Sequence, residues 1–150
     1  MYQPNTAIQL QYKGFLNTPV LWESDLIFGL TQFEPLQQDY IAYGGDDFNK
    51  LRLGKLIEQF VFNELDREDS ISILAQNIQV NKNKITIGEI DCLLKKLKEF
   101  IHLEIIYKFY LYDETEGNTE LEKWIGPNRN DSFVKKLTKL KTKQLPIFFH

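Results

Sequence analysis

Several polar side chains in this sequence stand where the local pattern favours something else. Glu89 and Asp91 share one face of an apolar run with Ile85, Ile87 and Leu93, and Glu104 and Lys108 share the polar face of the next run. Gln144 falls at the inward i+11 position of a helical stripe that begins at Phe133, and Glu58 borders the apolar face of an earlier helix. Singly, each has an ordinary explanation. Asp91 fits a strand-end charge, and Glu104 with Lys108 fits an exposed ion pair worth under about 1 kcal/mol. Gln144 fits a frayed helix end, and Glu58 a partly exposed helix carboxylate. Together they suggest chemistry. Neighbouring strands lie about 4.8 Å apart, so carboxylates on one face of adjacent strands converge. Close carboxylates raise each other's pKa unless a cation sits between them. All-oxygen ligation suits Mg²⁺ or Mn²⁺, which keep several waters and bind substrate phosphate. A lysine beside such a site stabilises an anionic transition state or orients an attacking water. Two or three such carboxylates gathered around a cation would therefore suit phosphodiester hydrolysis.

These residues need elements to position them. Residues 48–65 read as a helix, with Leu53, Leu56, Ile57, Phe60 and Val61 as its apolar stripe and Arg52, Lys55, Gln59 and Asn63 as its polar wedge. Residues 71–80 read as a first strand, 81–84 as a turn and 84–94 as a second strand, in which Gly88 marks a weak point or a bulge. After a turn at 95–100, residues 101–112 alternate. Ile101, Leu103, Ile105, Tyr107, Phe109 and Leu111 take one face; His102, Glu104, Ile106, Lys108, Tyr110 and Tyr112 take the other. Residues 113–123 form a polar loop. A further turn leads to a helix capped by Asn130 or Asp131, with Phe133, Leu137 and Leu140 turned inward. The residues after Pro146 suggest a short fourth strand. Upstream, Thr18 followed by Pro19 suggests a capped helix, and residues 1–47 read as a peripheral layer. The expected fold class is α/β (α+β): helix, three-stranded antiparallel meander, helix and possible strand, in a single domain over 1–150 with its core at 48–150.

Composition narrows the alternatives. At 150 residues with 43% hydrophobic and 26% charged, the chain is one globular domain able to bury a core. One cysteine, Cys92, excludes an internal disulfide and a four-cysteine zinc site. With only His102 and His150, a two-histidine metal site is not expected. No apolar run approaches the roughly 18 residues of a membrane span. The N-terminus lacks the basic-then-apolar pattern of a secretion signal, so a soluble cytoplasmic protein with no membrane partner is expected. Net charge is -3, yet residues 131–150 carry five lysines against one aspartate. Lysines at 135, 136, 139 and 143 are the expected contacts for phosphates, unless they simply decorate a solvated helix face.

The ordered pieces LGKLIEQF, NIQV, TIGEIDCLL, HLEIIYKFYL, WIGPNRND and KLTKLKTKQL span roughly residues 50–145. As a set they resemble the PD-(D/E)XK nucleases, the restriction-endonuclease-like superfamily, in its RecB-like form with an extra glutamine. More closely, the chain is similar to a bacterial family of unknown function assigned to that superfamily. The resemblance implies Mg²⁺-dependent cleavage of DNA or RNA, DNA more than RNA. By position it makes Glu58 the first-helix acid, Asp91 and Glu104 the metal ligands, Lys108 the catalytic lysine and Gln144 the helix glutamine. Two departures stand out. The lysine follows Glu104 by four residues, where the superfamily's motif has two and this chain has Ile106. Glu89-Ile90 precedes Asp91 in place of the leading proline. The chain also ends just after the glutamine helix, sooner than members of the close family. A short member, or a chain lacking its C-terminal part, is expected.

Two other readings compete with a metal-dependent nuclease. One is a catalytically inactive module of the same fold that binds nucleic acid or a protein partner, motivated by the displaced lysine and the acidic total. The other is a structural partner domain in which Trp22, Phe28, Phe33, Tyr40 and Tyr43 cover an interface.

Overall fold

The structure, a computed structural model, describes residues 6–23, 26–33, 41–46 and 51–149, without the side chains of 148 and 149. The architecture is mixed α+β. Helix α1 (Thr6–Leu16) and helix α2 (Leu53–Asp66) precede a hairpin of two long strands, β1 (Ile71–Lys82) and β2 (Ile85–Lys96). Strand β3 (Glu99–Leu103) completes a three-stranded antiparallel sheet of order β1-β2-β3. Two short strands, β4 (Leu111–Tyr112) and β5 (Trp124–Ile125), pair with each other, and helix α3 (Phe133–Lys139) follows.

The meander is the expected one. Asn83 and Lys84 both sit at positive φ, as a two-residue hairpin turn requires. Gly88 does mark a bulge: Val80 pairs with Gly88 but Asn81 pairs with Thr86, leaving Ile87 unmatched. A Cβ on Gly88 would stand 2.4 Å from Ile147 Cδ1, so the glycine also lets the C-terminal turn lie close against β2.

The alternating run at 101–112 behaves differently from a single strand. Only 99–103 pairs with β2, and only 111–112 belongs to a second ladder. The run between them is threaded between two layers. Ile101, Leu103 and Ile105 pack on a cluster built by Phe62, Leu65, Cys92 and Leu94, while Ile106 and Tyr110 pack on one built by Phe133, Leu137 and Leu140. Alternation records which layer each side chain meets; it does not record hydrogen bonding.

Four other boundaries differ from expectation. Helix α2 starts at Leu53, with Arg52 at its N-cap and no side-chain cap; residues 48–50 of the expected helix lie outside the described residues. Thr18 begins no helix. Its hydroxyl donates to Gly14 O at 2.9 Å and its N–H to Phe15 O, so it closes α1. Helix α3 is capped by Ser132, whose Oγ accepts from Lys135 N at 3.3 Å; Asp131 instead accepts from Ser132 N. Leu145–Phe149 is a 3-10 turn and not a strand. Ser132→Ala should cost about 1 kcal/mol, roughly 2–4 °C in Tm for a domain of this size, read by thermal denaturation.

The N-terminal residues supply part of the core. Ile8, Tyr12 and Tyr43 join Leu56, Ile57 and Phe60 in one buried cluster. Of the aromatics considered for an interface, Tyr43 is therefore buried, and Phe33 and Trp22 pack on other clusters. Phe28 is 40% exposed, and Tyr40 lies outside the described residues. Cys92 is fully buried, and burial pushes its thiol up to about 11. Among the described residues no helix is long and apolar enough to cross a membrane.

Candidate functional site

The sheet opens at one place. The β2–β3 ladder ends at the pair Cys92–Leu103, and the same register carried one residue further sets Asp91 opposite Glu104. There β3 leaves β2. The ladder bond is replaced by a side chain: Ile105 N donates to Asp91 Oδ2 at 2.8 Å. On the other flank of β2, Gln76–Cys92 and Ile78–Ile90 bracket Asn77 and Asp91. Asn77 sits at φ 50°, a left-handed conformation that asparagine tolerates better than most residues. Both neighbours of Asp91 thus depart from regular pairing.

Side chains from both helical layers reach this opening. From the α3 side, Gln144 Nε2 donates to Glu104 Oε2 at 2.8 Å, and Lys136 Nζ donates to Gln144 Oε1 at 3.0 Å. Glu104 Oε1 lies 2.7 Å from His102 Nε2. A π-helical turn over Leu140–Gln144 makes the Lys136 contact possible. Eight residues make ~2.2 turns of α-helix, which would carry Lys136 and Gln144 off one face. The wider π turn brings them close to two full turns, onto the same face; such turns recur at functional sites. From the α2 side, Glu58 is only 8% exposed. Lys55 Nζ binds Glu58 Oε2 at 2.8 Å, Asn77 Oδ1 at 2.8 Å and Glu89 Oε1 at 2.9 Å.

The electrostatics follow. Burial, joined by the carboxylates of Glu104 and Glu58, pushes Asp91 up to about 6, against the N–H of Ile105 and the charge of Lys55. Burial, with Lys139 and Lys108 nearby, lowers the Lys136 amine below the usual lysine range, against Glu104 and Asp91. The net charge at the opening is negative and incompletely compensated.

These oxygen donors suit a hard divalent cation. Among the described residues no three His, Cys, Asp or Glu side chains form a group able to hold a metal ion. Mg²⁺ does not need one: it takes one or two carboxylates and completes its shell with water and phosphate oxygens. No hydrogen bond reaches Asp91 Oδ1 from the described residues, and each oxygen of Glu104 keeps a further lone pair beyond its one partner. Asp91 and Glu104 supply the oxygen donors at the opening, with Glu58 in electrostatic range.

Of the residues singled out from the sequence, Asp91, Glu104 and Gln144 meet here, with Glu58 in electrostatic range. Lys108 does not join them. Its amine pairs with Asp131 Oδ2 at 3.1 Å, further along the extended run. Lys135, Lys139 and Lys143 are exposed on the last helix, whereas Lys136 turns inward to Gln144. Lys136 as the amine of the site was not apparent in the sequence, because nothing in the residue pattern announces a π turn. Nor were Lys55 and Asn77, whose contact spans 22 residues.

A family model matches residues 30–150, most of the chain. The chain belongs to the family described as Domain of unknown function (DUF1853). The DUF1853 match takes in every residue of the opening: α2, the meander and the Gln144 helix. No curated protein and no solved structure matches the chain.

Proposed function

We propose that this chain is a Mg²⁺-dependent nuclease of the PD-(D/E)XK type, RecB-like, hydrolysing phosphodiester bonds of DNA or RNA at the opening between β2 and β3. The observation that carries the reading is Asp91 opposite Glu104 where the strands part, with Gln144 and Lys136 converging from the far helix. The order of helix, antiparallel meander and helix supports it. When bound, the cation supplies charge neutralisation at the phosphate and activation of water. Asp91 and Glu104 would hold it. Gln144 fixes the rotamer of Glu104 through its amide. Lys136 brings a half-buried amine to Gln144, within electrostatic reach of Asp91 and Glu104, where it would stabilise negative charge gathering on the phosphate. Glu58, neutralised by Lys55, holds the α2 side of the opening. The exposed Lys135, Lys139 and Lys143 then serve the nucleic-acid backbone.

One observation favours the inactive-module reading: both Glu104 oxygens and one Glu58 oxygen already have protein partners. The two are separated by incubating the protein with supercoiled plasmid and single-stranded DNA in Mg²⁺, Mn²⁺ or EDTA. Metal-dependent nicking supports the nuclease. Binding without any cleavage supports the module. Given activity, Lys136→Met should lower kcat by about 10²-fold with little change in KM, the loss of one preorganised charge at the reacting group. A kcat near wild type in that variant would return the role to another lysine.

A further inference from the structure

A cleft of about 340 Å³ opens between the first turn of α2, residues 107–109 and the loop at 126–131. Its far wall is a turn closed by the backbone hydrogen bonds Gly126 N to Asp131 O and Arg129 N to Gly126 O, each 2.8 Å. Arg129 ties this turn to Asp113 at 3.0 Å and to Glu116 at 2.5 Å. One side presents an aromatic ring. Phe109 is 60% exposed and meets Tyr107 edge-on, with centroids 5.5 Å apart and planes at 86°, so much of the ring is uncovered. Lys108 also lines the cleft, and the partner of its amine, Asp131, is itself a third exposed. An ion pair this exposed is worth little, so a phosphate competes for the amine at small cost. Asn128 lines the same cleft and uses its side-chain oxygen on Asn130 N, leaving its amide N–H groups for a ligand.

An uncovered ring, a cation and an amide beside an open cleft are the components of a nucleotide subsite on a single strand, where bases stack on aromatic side chains and the backbone meets positive charge. We propose that this cleft holds one unpaired nucleotide of a single-stranded nucleic acid, with its base on Phe109 and its phosphate at Lys108. The inference rests on the nuclease reading only for where the strand continues. Lys108 and Glu104 lie on one extended run four residues apart, ~13 Å of chain, a span of a few nucleotides at most. It gives Lys108 a role in holding substrate, away from the reacting bond. A base inside a duplex has no face to offer Phe109, so the cleft selects against duplex.

The test is fluorescence anisotropy with a labelled twelve-nucleotide single strand and the same sequence as a duplex, in EDTA so that nothing is cut. Phe109→Ala should weaken single-strand binding about tenfold and leave duplex binding unchanged. Lys108→Ala should weaken it too, with a salt dependence shallower by about one charge. Gly54→Leu guards against misfolding. A Cβ there meets nothing within 4 Å, and replacing glycine favours the helix, yet the side chain fills the cleft. It should bind the single strand poorly while melting no lower than wild type. Wild-type affinity in Phe109→Ala and Gly54→Leu, equal losses on duplex, or no single-strand binding by the wild type would overturn the proposal. Cleavage by the wild type with unaltered Phe109→Ala binding removes the cleft alone. Weakened Phe109→Ala binding in a protein that never cuts removes the nuclease alone.

Discussion

Asp91→Asn is expected to abolish metal-dependent cleavage and, at neutral pH, to make the protein more stable. The two effects have one cause. A carboxylate pushed from 3.8 to about 6 by burial and by Glu104 and Glu58 is held in its charged form against its surroundings at pH 7. Such a shift corresponds to ~3 kcal/mol for a fully shielded group; partial exposure reduces it to about 1 kcal/mol. Asparagine keeps an oxygen for the Ile105 N–H and removes the charge. Tm at pH 7 should rise by about 2–4 °C. The sign reverses nothing at low pH but removes the gain. The folded protein binds the Asp91 proton more tightly than the unfolded chain does, so wild-type stability falls as pH rises from about 4 through 6. Below pH 4 both forms carry a neutral group and their Tm values should converge. Cleavage, by contrast, should fall by ~10³-fold, the loss of a ligand that contributes about 4 kcal/mol to the transition state. A gain in stability coupled to a loss of activity is the mark of a site strained for function. A variant that is less stable at pH 7 would make Asp91 a structural residue.

The largest purely structural effect is expected at Glu64. Its carboxylate is 9% exposed in α2, binds Arg67 at 2.8 Å and the Tyr12 hydroxyl of α1, and lies beside Asn63. Tyr12 is itself fully buried and stacks among Phe15, Tyr43 and Phe60. Glu64→Ala removes the acceptor while leaving a guanidinium and a phenol in a confined space. Breaking such a pair from one side costs about 3–5 kcal/mol. Tm should drop by roughly 6–20 °C by differential scanning calorimetry. Glu64→Gln keeps an acceptor and should cost less than half as much. Metal-dependent cleavage measured well below the melting transition should be unchanged in either variant, since the network lies away from the opening. A loss of cleavage in folded Glu64→Gln would tie α1 to the site.

The parts of this fold legible in the sequence are those governed by local rules. The meander follows from its turn residues and apolar runs, and Gly88 gave away its bulge. The convergence of Asp91 and Glu104 follows from same-face positions on neighbouring strands. What escaped depends on distant partners or on backbone changes without a residue signature. Glu64 is buried because a tyrosine 52 residues away meets it. The run 104–110 alternates like a strand because two packed layers enclose it, one of α2 and the sheet and one of α3, and only its partner strand could reveal that the ladder stops. Thr18 has the chemistry of an N-cap and closes a helix instead, since α1 arrives from the other side. Lys136 turns inward to Gln144 because a π turn rotates the last helix by part of a turn. An ideal 3.6-residue period hides that.

Isothermal titration with Mn²⁺ in the absence of nucleic acid tests most directly whether the opening holds a cation. The wild type should take up about one ion per chain. Asp91→Asn and Glu104→Gln should each remove that binding, and Lys108→Ala should leave it intact. A wild type that binds no Mn²⁺, or an Asp91→Asn protein that binds as well as the wild type, would contradict the assignment of Asp91 and Glu104 as a metal centre.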